Sequence, residues 1–286
     1  MVQLGESPGL FADYYRPLDD DLKYSFNPQI SVFSRQLLLF DANGNAQVEI
    51  DFDEIGAALT LGREFGHYAS LLAGYTRYAG DMDISIGDSG LEPFSFDGAE
   101  LFVELLFDRL DDRYLPTRGI SSRLKYTRST ENLGADASFE QLEFSLFGSQ
   151  TFGLHNLIWG AQLNTTLDGN APIYARYSAG GFLNMSGFEP NSLLGQHYGH
   201  VMAGYRYQVG KNGFMPGYAG FTLEYGNAAQ KRSDIFSEGM VNGSLYLGYN
   251  TPLGPVYLGA GLSEERGAVY FLKLGTIFDA RSVGRR

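Results

Sequence analysis

Cysteine is absent from the 286 residues, which excludes disulfides and thiolate chemistry and leaves the compartment open. Cations are scarce. Lys and Arg total 21 against 33 Asp and Glu, a net charge of −12, so there is no cationic excess to neutralise phosphates and nucleic acid is excluded as a partner. No run of about 18 apolar residues occurs, so no transmembrane helix is encoded. The opening "MVQLGESPGL" has no basic stretch followed by an apolar one and is not a secretory signal. Gly-x-Ser-x-Gly is missing too, so no nucleophile elbow lies here, and no cofactor motif is present.

What is abundant is glycine, 37 residues, together with 19 Tyr and 21 Phe against a single Trp. Aromatics with glycine punctuation favour strands and turns. Segments of about ten residues alternate in polarity. In "AELFVELLF", Ala99, Leu101, Val103, Leu105 and Phe107 share a face against Glu100, Glu104 and Asp108. In "QLEFSLF", Leu142, Phe144 and Leu146 oppose Gln141, Glu143 and Ser145. "VNGSLYLGYN" and "PVYLGAGLS" repeat the pattern. About thirteen such strands follow one another with no helix between them, at 9–17, 22–40, 46–62, 67–79, 98–109, 118–130, 138–150, 154–166, 198–209, 217–226, 237–250, 254–263 and 268–278.

A meander of this size closes or splits into packed sheets. A soluble sandwich or propeller would bury the apolar face, whereas a membrane barrel turns it to lipid around a polar lumen. Connections alternate between tight ones (19–21, 64–67, 151–153, 251–254) and longer ones (80–97, 131–137, 167–197, 227–236), the asymmetry of periplasmic turns and external loops. The reading is therefore all-β: a transmembrane antiparallel up-and-down barrel, residues 1–286 forming one domain. An odd strand count with residue 9 on the external side predicts that earlier strands are missing, with 2–8 the stub of one. Parity points Glu100, Glu104, Arg123, Lys125, Glu143, Arg206, Glu224 and Lys273 into the lumen, and Tyr249, Trp159, Tyr205, Tyr207 and Phe278 toward lipid.

"FDRLDDRYLPTRGISSRLKYTRS" (107–129) resembles a strand–periplasmic turn–strand unit of the bacterial surface antigen barrels, the superfamily of outer-membrane assembly factors and two-partner secretion transporters. "VYFLKLGTIF" resembles the β-signal of outer-membrane proteins, carried by Lys273, Gly275 and Phe278. The interruption "APIYARYSAGGFLNMSGFEPNSLLGQH" (171–197) precedes five strands, as the sixth external loop does in that superfamily. The resemblance implies that this loop folds into the lumen as a plug, tolerated at membrane depth because protein surrounds it. The family tip usually reads Val/Ile-Arg-Gly-Phe/Tyr, its arginine held by an acidic group of the inner wall. Here it reads Met185-Ser186-Gly187-Phe188 with Gly180 and Gly181 before it; Gly187 and Phe188 match and Ser186 replaces the arginine. "LFADYYRPL" and "YARYSAGGFLNMSGFEPNSL" resemble, more narrowly, the barrels fused behind a patatin-like phospholipase passenger and a POTRA module, with about sixteen strands.

The resemblance implies a translocator that secretes or displays an attached passenger, partnered by the lipid bilayer and the outer-membrane assembly machinery, with no enzymatic role for the barrel. A passive porin, an assembly factor and a soluble binding protein are the alternatives. "GDSG" (87–90) matches the nucleophile stretch of trypsin-like proteases in letters only, with no triad partners. His197 and His200, three apart, fall on opposite faces of a strand and have no evident third ligand, so no metal is expected.

Overall fold

The computed structural model describes residues 2–3, 8–40, 46–87, 90–112, 115–209, 217–251 and 254–275. Seventeen strands follow in chain order: β1 (Val2–Gln3), β2 (Gly9–Asp13), β3 (Arg16–Pro17), β4 (Tyr24–Phe40), β5 (Ala46–Phe65), β6 (Ala69–Ile86), β7 (Phe94–Asp108), β8 (Arg118–Ser129), β9 (Phe139–Phe152), β10 (His155–Gly169), β11 (Tyr177–Ala179), β12 (Leu193–Gly195), β13 (His197–Val209), β14 (Gly217–Ala229), β15 (Met240–Thr251), β16 (Gly254–Ser263) and β17 (Gly267–Leu274). All pairings are antiparallel and build one 15-stranded sheet in chain order, β2 and β3 both pairing with β4 and β10 pairing with β13, while β11 and β12 form a separate two-stranded pair. The strands read from the alternation are all present, and residues 2–3 pair with Leu10 and Gly9. Among the described residues, no helix is long and apolar enough to cross a membrane; helices are single turns, such as Asp234–Ser237.

Outward positions on most long strands are exposed and apolar: Leu101, Val103 and Leu105 on β7, Leu157, Trp159 and Leu163 on β10, Phe221 and Leu223 on β14, Leu245 and Leu247 on β15. A soluble surface does not carry an apolar belt of that extent, and lipid is its solvent. From Tyr207 to His197 on β13, about ten residues at ~3.4 Å and a tilt of ~40° rise roughly 26 Å, the height of a membrane apolar band.

Above that band the faces exchange roles. On β5 the outward Ile55, Leu59 and Leu61 give way to Asp53, while the inward Phe52, Ile50 and Val48 are buried. On β6 the outward Leu71 and Tyr75 give way to Asp81 and Asp83, while Tyr78 and Met82 are buried inside. Water on the outside and a protein core on the inside demand the reverse of the lipid pattern. This corrects two sequence boundaries. The strand expected at 67–79 continues to Ile86, and the next starts at Phe94 rather than 98, so most of the expected 80–97 loop is strand. "MDISI" keeps period two with its polarity inverted.

The sheet curls around the segment 170–196. Near that segment's start, Tyr174 stacks on Phe96 of β7 (4.1 Å, 9°) and its carbonyl accepts from Arg35 of β4 at 3.0 Å. A few residues later Phe182 stacks on Phe271 of β17 (4.3 Å, 24°). One short segment touches both flanks of the sheet, so the sheet must wrap it. No described residue of β17 pairs with β1 or β2.

Candidate functional site

The segment expected to lose alternation does so, apart from the short β11–β12 pair. Its tip, 180–188, lies against the inward faces of β13 to β17. Gly180 and Gly181 have φ of 120° and 96°, a backbone that side chains resist. At Gly180 a Cβ would also stand 1.9 Å from the Glu189 carbonyl oxygen. The turn closes through Gly180 N–H to the Asn184 carbonyl and Gly181 N–H to the Phe188 carbonyl, both 2.9 Å. Leu183 and Met185 also take left-handed φ (62° and 69°), a conformation costing about 1–3 kcal/mol that persists only where surroundings over-determine it.

The surroundings do so through one carboxylate. Glu224 of β14 points inward, buried to 2 %. Its Oε2 accepts the Met185 N–H (2.8 Å) and the Ser186 N–H (3.0 Å); its Oε1 accepts the Ser186 hydroxyl and that of Thr222 (2.7 Å). His200 of β13, stacked on Tyr198, reaches Oε2 with Nε2 at 3.3 Å. The Ser186 Oγ also accepts the Leu183 N–H at 2.9 Å. Asn242 of β15 accepts the Gly187 N–H (3.2 Å) and donates to the Met185 sulfur (3.3 Å). A buried carboxylate is tolerated when donors surround it in this way. Ser186 therefore meets an inner-wall acid where the family tip has an arginine, and the tip's contribution to that acid is its own backbone N–H groups and a hydroxyl.

Glycine makes the contact possible. A Cβ on Gly261 of β16 would stand 1.5 Å from the Ser186 carbonyl oxygen, and one on Gly187 would stand 2.6 Å from the Leu262 carbonyl oxygen. Phe188 is wholly buried, with the Arg266 guanidinium 5.4 Å above its ring and Arg266 also 3.6 Å from Glu189.

The remaining predicted lumen residues all lie on the inward face but are not one cluster. Arg123 bridges Glu104 (2.6 Å) and Glu143 (3.0 Å) across β7, β8 and β9. Glu100 accepts from the Tyr78 hydroxyl at 2.8 Å. Lys125 places its ammonium 5.2 Å over the Phe102 ring. Arg206 binds the Asn156 side chain and the Pro116 carbonyl. Sequence reasoning gave no site role to Asn242, Thr222, Gly261 or Pro116; strand register places the first three, and Pro116 lies in the turn of the 107–129 unit. It placed His200 on a strand face without naming Glu224 as its neighbour.

Among the β-signal residues, Lys273 lies on the exposed last strand and the Gly275 N–H donates to the Pro255 carbonyl at 2.9 Å. Phe278 lies outside the described residues, as do Asp88 and Ser89 of "GDSG". His197 is outward, 2.7 Å from the Thr165 hydroxyl, while His200 is inward. Among the described residues no group of His, Cys, Asp or Glu is arranged to hold a metal ion.

Residues 9–282 match the model of the Omp85 superfamily domain. Among solved structures, BamA from Haemophilus ducreyi lacking POTRA domains 1–3 superposes with a TM-score of 0.71 at 13 % identity over 94 % of this chain and 61 % of that one. CdiB from Escherichia coli gives 0.66 at 11 % identity over 94 % and 53 %, and CdiB from Acinetobacter baumannii 0.60 at 12 % over 94 % and 50 %. The chain thus spans half to about three fifths of the length of these structures. A comparison with curated protein sequences gives no significant match.

Proposed function

The chain belongs to the Omp85 superfamily of bacterial outer-membrane β-barrels, and from that premise we propose that it is a translocator that carries an attached polypeptide passenger across the outer membrane, with 171–197 as its plug. The observation that carries the reading is the tip's seat: a turn with two left-handed non-glycine residues, Leu183 and Met185, fastened to the buried Glu224 through the Met185 and Ser186 N–H groups and the Ser186 hydroxyl. A passive pore gains nothing from a strained loop fastened inside its wall. A conduit that must stay closed until a chain passes does. The passenger we propose is a patatin-like phospholipase, on the likeness of 10–18 and of the loop to barrels of that branch. Its chemistry would lie outside these residues, and the barrel itself would transport rather than catalyse.

The test is conductance in planar bilayers. The intact chain should stay mostly closed, and replacing 180–188 by a short Gly/Ser linker should give steady conductance. Steady conductance of the intact chain, equal to that of the linker variant, would mean a porin.

A further inference from the structure

The connection between β7 and β8 enters the molecule from the end opposite to the loop. It begins with an acid-capped turn. Asp111 accepts the Thr117 and Arg118 N–H groups, both at 2.9 Å, and the Thr117 hydroxyl at 2.5 Å. Asp112 accepts the Leu115 N–H at 2.7 Å. Closed in this way, the turn does not stay at the mouth. Leu115 is 6 % exposed and shares one apolar cluster with Phe182 and Leu183 of the loop tip and with Ile158, Tyr246 and Tyr257 of the wall. The following carbonyls are then fastened to the wall. The Pro116 carbonyl accepts from Arg206 and from Ser149 (2.9 Å), and the Thr117 carbonyl from Thr151 (2.8 Å) and Asn156 (3.2 Å). Arg206, 1 % exposed, is among the largest wholly buried side chains of the protein. It also donates to Asn156 Oδ1 at 2.6 and 2.8 Å and lies 5.7 Å over the Tyr218 ring.

An arginine buried to that degree is costly unless its donors are used. Here Nη2 reaches a backbone carbonyl of the opposite-end turn, and Nε and Nη2 both reach the Asn156 side chain. We infer that this turn, through residues 109–112 and 115–118, is a second gate at the periplasmic mouth, bracketed by Arg206 and coupled to the loop tip through the apolar cluster that Leu115 joins. The inference rests on the translocator reading, because it names what an entering chain meets first. An extended polypeptide arriving from the periplasm has to lift Leu115 out of its seat. Doing so opens the apolar cluster that also seats Phe182 and Leu183 and loosens the tip from below, before Glu224 is reached. Two elements from opposite ends that share one apolar cluster are more stable together than either alone, so displacement of one is communicated to the other.

The test uses the absence of cysteine. Asn184→Cys carries a nitroxide at the tip, and its mobility is read by electron paramagnetic resonance in the refolded barrel, alongside bilayer conductance. Leu115→Ala should raise the mobile fraction at 184 by about tenfold or more, since losing a buried leucine's contacts costs at least that factor. Heat-modifiable gel migration should be unchanged. Arg206→Gln should do the same; if it fails to fold, Leu115→Ala alone decides. An unchanged spectrum in folded Leu115→Ala overturns the coupling. If the label loosens while conductance stays nil, the second gate stands and the loop is not what closes the channel. If the wild type conducts steadily with an immobile label that Leu115→Ala frees, the coupling stands and the translocator reading falls.

Discussion

Removing the Glu224 carboxylate gives a graded prediction. In Glu224→Ala the Met185 and Ser186 N–H groups lose their acceptor inside a dry wall, each costing about 1–3 kcal/mol, and the Ser186 hydroxyl loses its own. A total of about 4 kcal/mol lowers the ratio of seated to released tip by roughly a thousandfold. Glu224→Gln differs in kind. Its oxygen can turn to the two backbone N–H groups while its NH2 faces the Ser186 and Thr222 hydroxyls, which can rotate to accept. Only the charge assistance is lost, about 1–2 kcal/mol, or roughly tenfold. The assay is single-channel open probability in planar bilayers, with mobility of a label at 184 as the structural readout. The expected order is wild type, then Glu224→Gln, then Glu224→Ala, the two steps being unequal. Equal effects of Gln and Ala would refute the hydrogen-bond argument, because they would show that charge alone holds the tip. No effect of Ala in a folded barrel would refute the latch itself.

Gly261→Val places a Cβ where the Ser186 carbonyl oxygen now sits; the tip should unseat, raising open probability at an unchanged urea midpoint of the barrel. Arg123→Ala leaves Glu104 and Glu143 buried together without their cation, and should cost about 3–5 kcal/mol in urea unfolding. The triple variant Arg123→Met, Glu104→Gln, Glu143→Gln should regain most of it. Leu245→Arg on the lipid face should cost about 2–4 kcal/mol, whereas Asp53→Arg above the band should cost little; equal costs would displace the assigned membrane boundary. Partial burial pushes the Asp111 carboxyl up, but the Thr117 hydroxyl and the Arg118 and Thr117 N–H groups together hold it below the ordinary Asp value. A depressed carboxyl stabilises the turn above its unfolded pKa and ceases to as pH falls through the folded one. A spin label at Leu110→Cys should therefore loosen only below about pH 4, and Asp111→Asn should abolish that step.

Period two and turn chemistry are local properties, and they made the strands and the inward parity of Glu224, Arg206 and Arg123 legible in the sequence. The boundary of β6 was missed because the reading took one face to be apolar along a whole strand, whereas the apolar face follows the solvent. Asp81 and Asp83 read as loop only if lipid is assumed beside them. With water outside and Tyr174 inside, the same letters are strand. The site was less legible for a different reason. Its chemistry is made by pairs far apart in sequence: Ser186 with Glu224, Gly187 with Asn242, Arg206 with Pro116. Which inward residue stands opposite which depends on register and on how far the loop descends, and no single strand encodes either. One signal was nevertheless available. Gly261 lies on an inward face in "PVYLGAGLS", where a side chain would ordinarily line the lumen. A missing Cβ on that face marks a backbone approaching it, and residues 180–188, rich in glycine and without alternation, were the segment able to supply it.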